Sequence, residues 1–502
     1  MSSGTFFFFE TMSKLYVVLA LIFCMPIYQF GQGKLIMNDE IISAYKDITE
    51  LKMVAGLHKV NHIKLTDPKN AMAHYIENYI DFFTLFIQED GKLYKSLLKN
   101  RDYRLKKIKE SDTNSPYYRF CQAEIILQWA TIKLKFDDKI SAAKDVYQAY
   151  KLLEENKAAF PGFMENNKSL SIIHALAESV PSWVRKLMGI KGSVALGTKE
   201  ISTLVAKANA ENSIFKNEIV AIYSYILFYS NNKKEEAFHL YDTYKLDHKK
   251  NILVAFLKST MAHKTGRNDL AIKILDERPK GNEYLPFYYL DFVYGKYKLY
   301  KLEKDASIHI LKFLNHFQGQ HYIKEAWQKL AWCQLVIYDD VALYKKYMRN
   351  CVEKGKALID EDIQAQKEAK NTTLPNTILL KARILYDGGY YTKAQNLLIL
   401  HSKEFVYKVN DGEYYYRLGR VTDALQNYKD ALEYYDLTLV KGDPDQYYGC
   451  SAALNAALIY EQQKKYVKAR QYFEKCLNLE PSGYSTSLHQ KANSGLDRIK
   501  GK

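Results

Sequence analysis

Along most of this chain the apolar residues return every three or four positions, the period of one face of an α-helix. Tyr75, Tyr79, Phe82, Phe83 and Phe86 form such a face between Asn70 and Glu89, where Asp67-Pro68 reads as an N-cap followed by a helix-opening proline. Ser115-Pro116 opens the next predicted helix, Tyr117 to Phe136, and Lys139 to Glu155 forms its partner through Ala123, Trp129, Ala142, Ala143 and Tyr147. Residues 34–156 therefore read as a helical amino-terminal region. Between 157 and 215 the period lapses: Pro161, Gly162, Pro181, Gly189, Gly192 and Gly197 predict a connecting segment of loops or hinges, with Trp183, Leu187 and Met188 as a candidate docking element. From 216 to 483 the helical period resumes in pairs, and Leu488, Ala492, Leu496 and Ile499 predict a terminal helix within 484–502 that covers the last apolar face.

The pairs repeat. Counted from Cys450, small or aromatic residues stand at Ala453, Ala456, Ala457, Tyr460, Ala469, Phe473 and Cys476, and Pro481 ends the unit. Small side chains at 457 and 469 let two helices approach, and Phe473 fills the space between them. Tyr415, Leu418, Gly419, Ala431 and Tyr435 mark a second unit; Ile378, Ala382, Leu385, Ala394 and Leu398 mark a third. Weaker copies follow around Trp327 and Ala331, Gly295 and Ser307, Ala262 and Ala271, and Phe228 and Ala237, about seven units in all. The most regular segment resembles a tetratricopeptide repeat, a helix-turn-helix unit of about 34 residues. That resemblance implies an all-α fold, a right-handed superhelix or α-solenoid whose first helices line a groove that binds protein or peptide. It further implies groove-facing places at Asn376, Leu379, Arg383 and Tyr386, at Glu413, Tyr416, Arg420 and Asp423, and at Ser451, Leu454, Leu458 and Glu461. Arg383 and Arg420 take the same place in successive units, so they would stand side by side with Tyr386 and Tyr416 as apolar walls, a site for an acidic or C-terminal peptide. Asn376 and Glu461 complete the candidate groove. Family members that clamp a terminal carboxylate with lysine and asparagine differ from this chain at those places.

Composition agrees with helix: glycine (23) and proline (10) are scarce in 502 residues, while tyrosine reaches 42. The net charge of +15 is carried by 60 lysines and only 12 arginines. Such a surface is compatible with an envelope membrane or an acidic polymer, but it lacks the arginine that bidentate phosphate contacts favour. The amino terminus weighs more. Lys14, the apolar run Leu15 to Met25, Pro26 and the small residues Gly31 and Gly33 follow the order of a secretory signal peptide over residues 1–33. Leu21-Ile22-Phe23-Cys24 resembles a lipobox with Phe23 where a small residue belongs. Export to the periplasm or envelope excludes nucleic acid as partner, and the whole resembles repeat proteins of Bacteroidetes-type envelopes.

No chemistry declares itself. Gly192-Ser-Val-Ala-Leu-Gly197-Thr-Lys199 reverses the order a phosphate loop needs, and His58-Lys-Val-Asn-His62 lacks the glutamate of a zinc hydrolase. No nucleophile motif is present, and Cys121, Cys333, Cys351, Cys450 and Cys476 read as small buried residues. The expected function is a non-enzymatic adaptor without cofactor or metal; glycan binding on the same scaffold, using the tyrosines, is the alternative. Oligomeric state is left open by the sequence.

Overall fold

The computed structural model describes residues 33–178, 189–406 and 411–502; the signal-like segment, Cys24 and the Trp183, Leu187 and Met188 group lie outside them. Among the described residues there are 24 α-helices and no strand, with isolated bridges only at Gly33 to Ser111 and Lys34 to Asn70. Four helix pairs come first: α1 (Asp39–Thr49) with α2 (Met53–Thr66), α3 (Met72–Gln88) with α4 (Gly91–Lys109), α5 (Tyr117–Lys135) with α6 (Lys139–Ala159), and α7 (Asn166–Ala177) with α8 (Val194–Ala210). Seven follow. They are α9 (Lys216–Tyr225, continued by a π turn) with α10 (Lys234–Thr243), α11 (Ile252–Lys264) with α12 (Asn268–Asp276), α13 (Tyr288–Tyr300) with α14 (Ala306–His316), and α15 (Ile323–Ile337) with α16 (Val341–Glu353). After a lone helix, α17 (Asp360–Lys370), come α18 (Thr377–Asp387) with α19 (Tyr391–Leu400), α20 (Gly412–Ala424) with α21 (Tyr428–Lys441), α22 (Tyr447–Gln462) with α23 (Tyr466–Leu477), and the terminal α24 (Ser485–Arg498). Within each pair the second helix folds back on the first, so the all-α solenoid of helix pairs is what the chain forms. Ala431, Ala469 and Phe473 are fully buried between their helices.

Two local readings change. Asp67 ends α2 instead of opening a helix, and the Asn70 side chain ties the strap before α1 to α3, accepting from Ile36 N at 3.1 Å and donating to Ile36 O at 3.0 Å. Within 157–215 the described residues form two helices, α7 and α8, beside non-helical turns at 160–165, 189–193 and 211–215 that hold Pro161, Gly162, Gly189 and Gly192. Gly192 and Gly197 serve packing, whereas Gly162 and Gly189 have nothing within 4 Å: a Cβ on Gly197 would lie 2.3 Å from Ser171 O, and one on Gly192 2.7 Å from His174 Cα. Gly197 lets α7 and α8 touch through backbone. Gly197→Ala should therefore destabilise by ~1–3 kcal/mol in thermal unfolding, although alanine gains about 1 kcal/mol of helix propensity over glycine.

The repeat is regular except once. First helices start at Lys216, Ile252, Tyr288, Ile323, Thr377, Gly412 and Tyr447; each step is 35 or 36 residues save that from Ile323 to Thr377, which is 54. The excess is α17 with its two linkers. One continuous core runs from Leu35 to Met348 and takes in Leu380 and Ile384 of α18, whereas the last three units and α24 hold smaller cores of their own. The amino-terminal pairs belong to the main body: Asn251 Nδ2 donates to Thr49 O (3.1 Å), Leu285 N to Leu51 O (2.8 Å), and His321 Nδ1 lies 2.7 Å from Glu89 Oε2. The carboxy-terminal arm returns to that body through Tyr390, whose hydroxyl donates to Asp269 Oδ1 (3.0 Å) and accepts from Asn268 Nδ2 (3.1 Å).

Candidate peptide-binding face

First helices of neighbouring units meet in a stripe of charged and aromatic side chains. Lys296 of α13 pairs with Glu325 of α15 at 3.2 Å. One unit on, the Arg383 guanidinium of α18 lies 4.6 Å from the centre of the Trp332 ring of α15. Arg420 of α20 lies 4.4 Å over the Tyr386 ring, donating through Nη2 to the Tyr386 hydroxyl (2.8 Å) and through Nη1 to the Tyr416 hydroxyl (2.8 Å). Tyr416 in turn bonds Ser451 Oγ at 3.0 Å, and Tyr447 meets Tyr484 with ring centroids 4.9 Å apart.

The inserted helix α17 lies on this face. Glu368 is gripped twice: its Oε1 accepts from Trp332 Nε1 at 2.7 Å and its Oε2 from Arg383 Nη1 at 3.0 Å. The buried Asp362 accepts from the backbone of Tyr322 (2.7 Å) and Glu325 (3.0 Å), capping the amino terminus of α15. Lys367 Nζ donates to Ser482 O at 2.8 Å, tying α17 to the far end of the arm. The first turn of α17 carries Asp360, Glu361 and Asp362, an acidic complement to the face it covers.

Asn376, Arg383, Tyr386, Tyr416, Arg420 and Glu461 thus each have a partner inside the chain, while Leu458 is exposed. Asn376 caps α18, accepting from Ile378 N (2.9 Å) and Leu379 N (3.1 Å). Arg383 and Arg420 do share the first-helix face, but in separate surroundings, Trp332 with Glu368 for one and two tyrosine hydroxyls for the other. Tyr386 is half-buried, while Tyr416, 2% exposed, is interior and not a wall. Glu461 takes a bidentate contact from Arg498 (2.8 Å to each oxygen), fastening α24 over the last unit. Trp332, Glu368 and Lys329 escape sequence reasoning. The available signal is the 54-residue step, which announces an insertion at the point where the face is covered.

Lys329 sits at the centre, its Nζ 3.6 Å from the Trp332 ring centre and 4.0 Å from Glu325 Oε1. Burial pushes its pKa down to about 8, aided by the Arg383 and Lys296 charges and opposed by Glu325 and Glu368. A lysine whose folded pKa lies below its unfolded value binds its proton less tightly when folded, so stability rises with pH between about 8 and 10.4. Lys329→Met should raise stability at pH 7 by about 2 kcal/mol and lose most of that advantage at pH 10. Urea denaturation at the two pH values checks this.

His58 and His62 lie elsewhere, lining an open 360 Å³ hollow with Glu40, Ser43, Lys59 and Ile63. Among the described residues no group of three or more metal-ligating side chains converges, and no helix is long and apolar enough to cross a membrane.

Comparison with known proteins agrees with the geometry at the arm. Residues 450–482 match the family model of the tetratricopeptide repeat. Comparison with curated proteins finds no match. Similar solved structures include one described as Naa15/Naa10 bound to HypK-THB, with 13% identity over 92% of this chain and a TM-score of 0.27; this chain covers 66% of that one. The P58(IPK) tetratricopeptide repeat domain gives 13% identity over 92% of this chain and 99% of that one, with a TM-score of 0.21. Such low scores add nothing to the functional reading. With α22 and α23 forming the matched unit, the chain is a protein that carries a tetratricopeptide repeat at residues 450–482 within an α-solenoid of helix pairs.

Proposed function

We propose that this protein is a non-catalytic scaffold whose first-helix face binds a protein partner through an acidic helical segment. The observation that carries the reading is the double grip on Glu368: an indole N–H and a guanidinium, stacked on one another, converge on a single carboxylate. A carboxylate held by both is recognised by charge and by direction, and the aromatic face beneath excludes water. α17 fills that place in the isolated chain, so a partner would compete with it. The linkers on either side, Lys354–Ile359 and Asn371–Asn376, are mostly exposed and would let it leave.

The site of action we propose is the cell envelope, on the strength of the signal-like order of Lys14, the apolar run and Gly31 to Gly33. Affinity capture from envelope fractions should recover partners with wild type and lose them with Arg383→Glu plus Arg420→Glu. Retention of those partners by the double variant at physiological salt would count against the face. Recovery of the chain only from cytosol, with its first 33 residues intact, would count against export.

A further inference from the structure

The final repeat contains a pair of thiols that the protein-binding reading does not use. Cys450, in the first turn of α22, and Cys476, in the last turn of α23, bring their sulfurs to 3.4 Å, both residues being buried. Two side chains that merely fill space have no need of this approach. Cys351 Sγ lies 3.2 Å from Lys324 O much as Cys450 Sγ lies 3.3 Å from Cys476 O, but Cys351 has no second sulfur beside it, and burial pushes its pKa up to about 12. Burial likewise holds Cys121 and Cys333 protonated. Cys450 differs: the hydrogen bond from Cys476 and the neighbouring His489 lower its pKa, against burial and the charge of Glu480. His489 stands on α24, half-buried, with its Nε2 2.9 Å from Leu479 O. The same thiol–thiol hydrogen bond, with burial, raises the pKa of Cys476, so two thiols in contact beside an imidazole, with the proton held on Cys476, make up a thiol-exchange centre.

We infer that Cys450 and Cys476 form an intramolecular disulfide, a modification that locks the two helices of the last repeat. In the exchange the Cys450 thiolate attacks a small-molecule disulfide such as oxidised glutathione, giving a mixed disulfide and one glutathione thiolate. Cys476 then releases its proton to water and attacks Cys450 Sγ, expelling the second thiolate. One disulfide is formed and one is reduced, so electrons balance. Entry requires opening of α24, which is fastened through Arg498 to Glu461. Closure would hold the surface on which Tyr447 and Tyr484 meet.

The full chain should be equilibrated in mixtures of reduced and oxidised glutathione, quenched with acid, alkylated after denaturation and mapped by mass spectrometry. A peptide cross-linked through Cys450 and Cys476 is expected, with Cys121, Cys333 and Cys351 alkylated throughout. Proteolysis within residues 450–498 should slow about tenfold or more on oxidation. His489→Gln should slow closure without abolishing it, and Cys450→Ala and Cys476→Ala should each abolish both cross-link and protection; wild type alone gives the decisive map if a variant folds poorly. Two free thiols in fully oxidised buffer, or a glutathione adduct on Cys450 that never resolves, would overturn the inference.

Discussion

Lys168→Ala is expected to destabilise the protein by about 3–5 kcal/mol, the cost of stranding buried charge. Lys168 is 1% exposed, and its Nζ lies 2.7 Å from Glu124 Oε2 and 2.7 Å from Glu218 Oε2, with the Tyr79 hydroxyl at 3.3 Å and the Phe215 ring centre at 4.9 Å. The three charges join α5, α7 and α9, so the ammonium binds the amino-terminal pairs to the first repeat. Truncation removes the cation and leaves two carboxylates facing one another among Tyr45, Tyr75 and Tyr79, whose hydroxyls burial holds protonated. Burial alone would lower the lysine pKa, but Glu124 and Glu218 raise it above its ordinary value. A raised lysine keeps its full contribution below the unfolded pKa, about 10.4, and loses it only as pH climbs through the folded value. The deficit should therefore be flat from about pH 6 to 9. Guanidinium denaturation measures it, and Lys168→Met combined with Glu124→Gln and Glu218→Gln should recover much of the loss; if the triple variant is as unstable as the single one, packing and not charge sets the cost.

The second large effect concerns binding. Arg383→Glu reverses the charge that faces Glu368 and places a carboxylate above the Trp332 ring, so an acidic peptide should lose about 30-fold or more in affinity, on the order of 2–5 kcal/mol. Trp332→Ala should weaken the same peptide less, by about tenfold, because the guanidinium survives while its stacking surface and the indole donor go. Trp332 is fully buried in the main core and Arg383 adjoins Ala382 of the α18 core, so thermal unfolding of each variant is measured beside its affinity, with Trp332→Ala expected to lose the more stability.

Much of this architecture is legible in the residues themselves. The alternation of Ala457, Ala469 and Phe473 specifies a helix pair because only small side chains admit a neighbouring helix there, and that demand leaves its mark on the sequence. In the 157–215 stretch Gly197 misleads: it looks like a chain breaker but lies inside α8, where close approach to Ser171 asks for the same residue for a different reason. Asp67-Pro68 misleads similarly: a cap-like dipeptide stands at the end of one helix and the start of a turn. At the candidate face, periodicity places Arg383 and Arg420 on first helices but does not reveal what sits against them. Glu368 lies 15 residues from Arg383 on a helix outside the repeat, and its position depends on how α17 folds back, which no local period encodes. The Cys450 and Cys476 contact escapes for the same reason, being made across a helix pair 26 residues apart.

Whether α17 and an acidic partner segment compete for one face is decided by the binding of a fluorescently labelled peptide of sequence Asp360–Lys370 to the full-length chain. Wild type should bind it weakly, because its own α17 occupies the face at the high effective concentration of a tethered segment. Glu368→Gln, which loosens the internal occupant, should bind about tenfold more tightly or better, and adding Arg383→Glu to that variant should abolish the gain. Equal affinity in all three proteins would contradict the account.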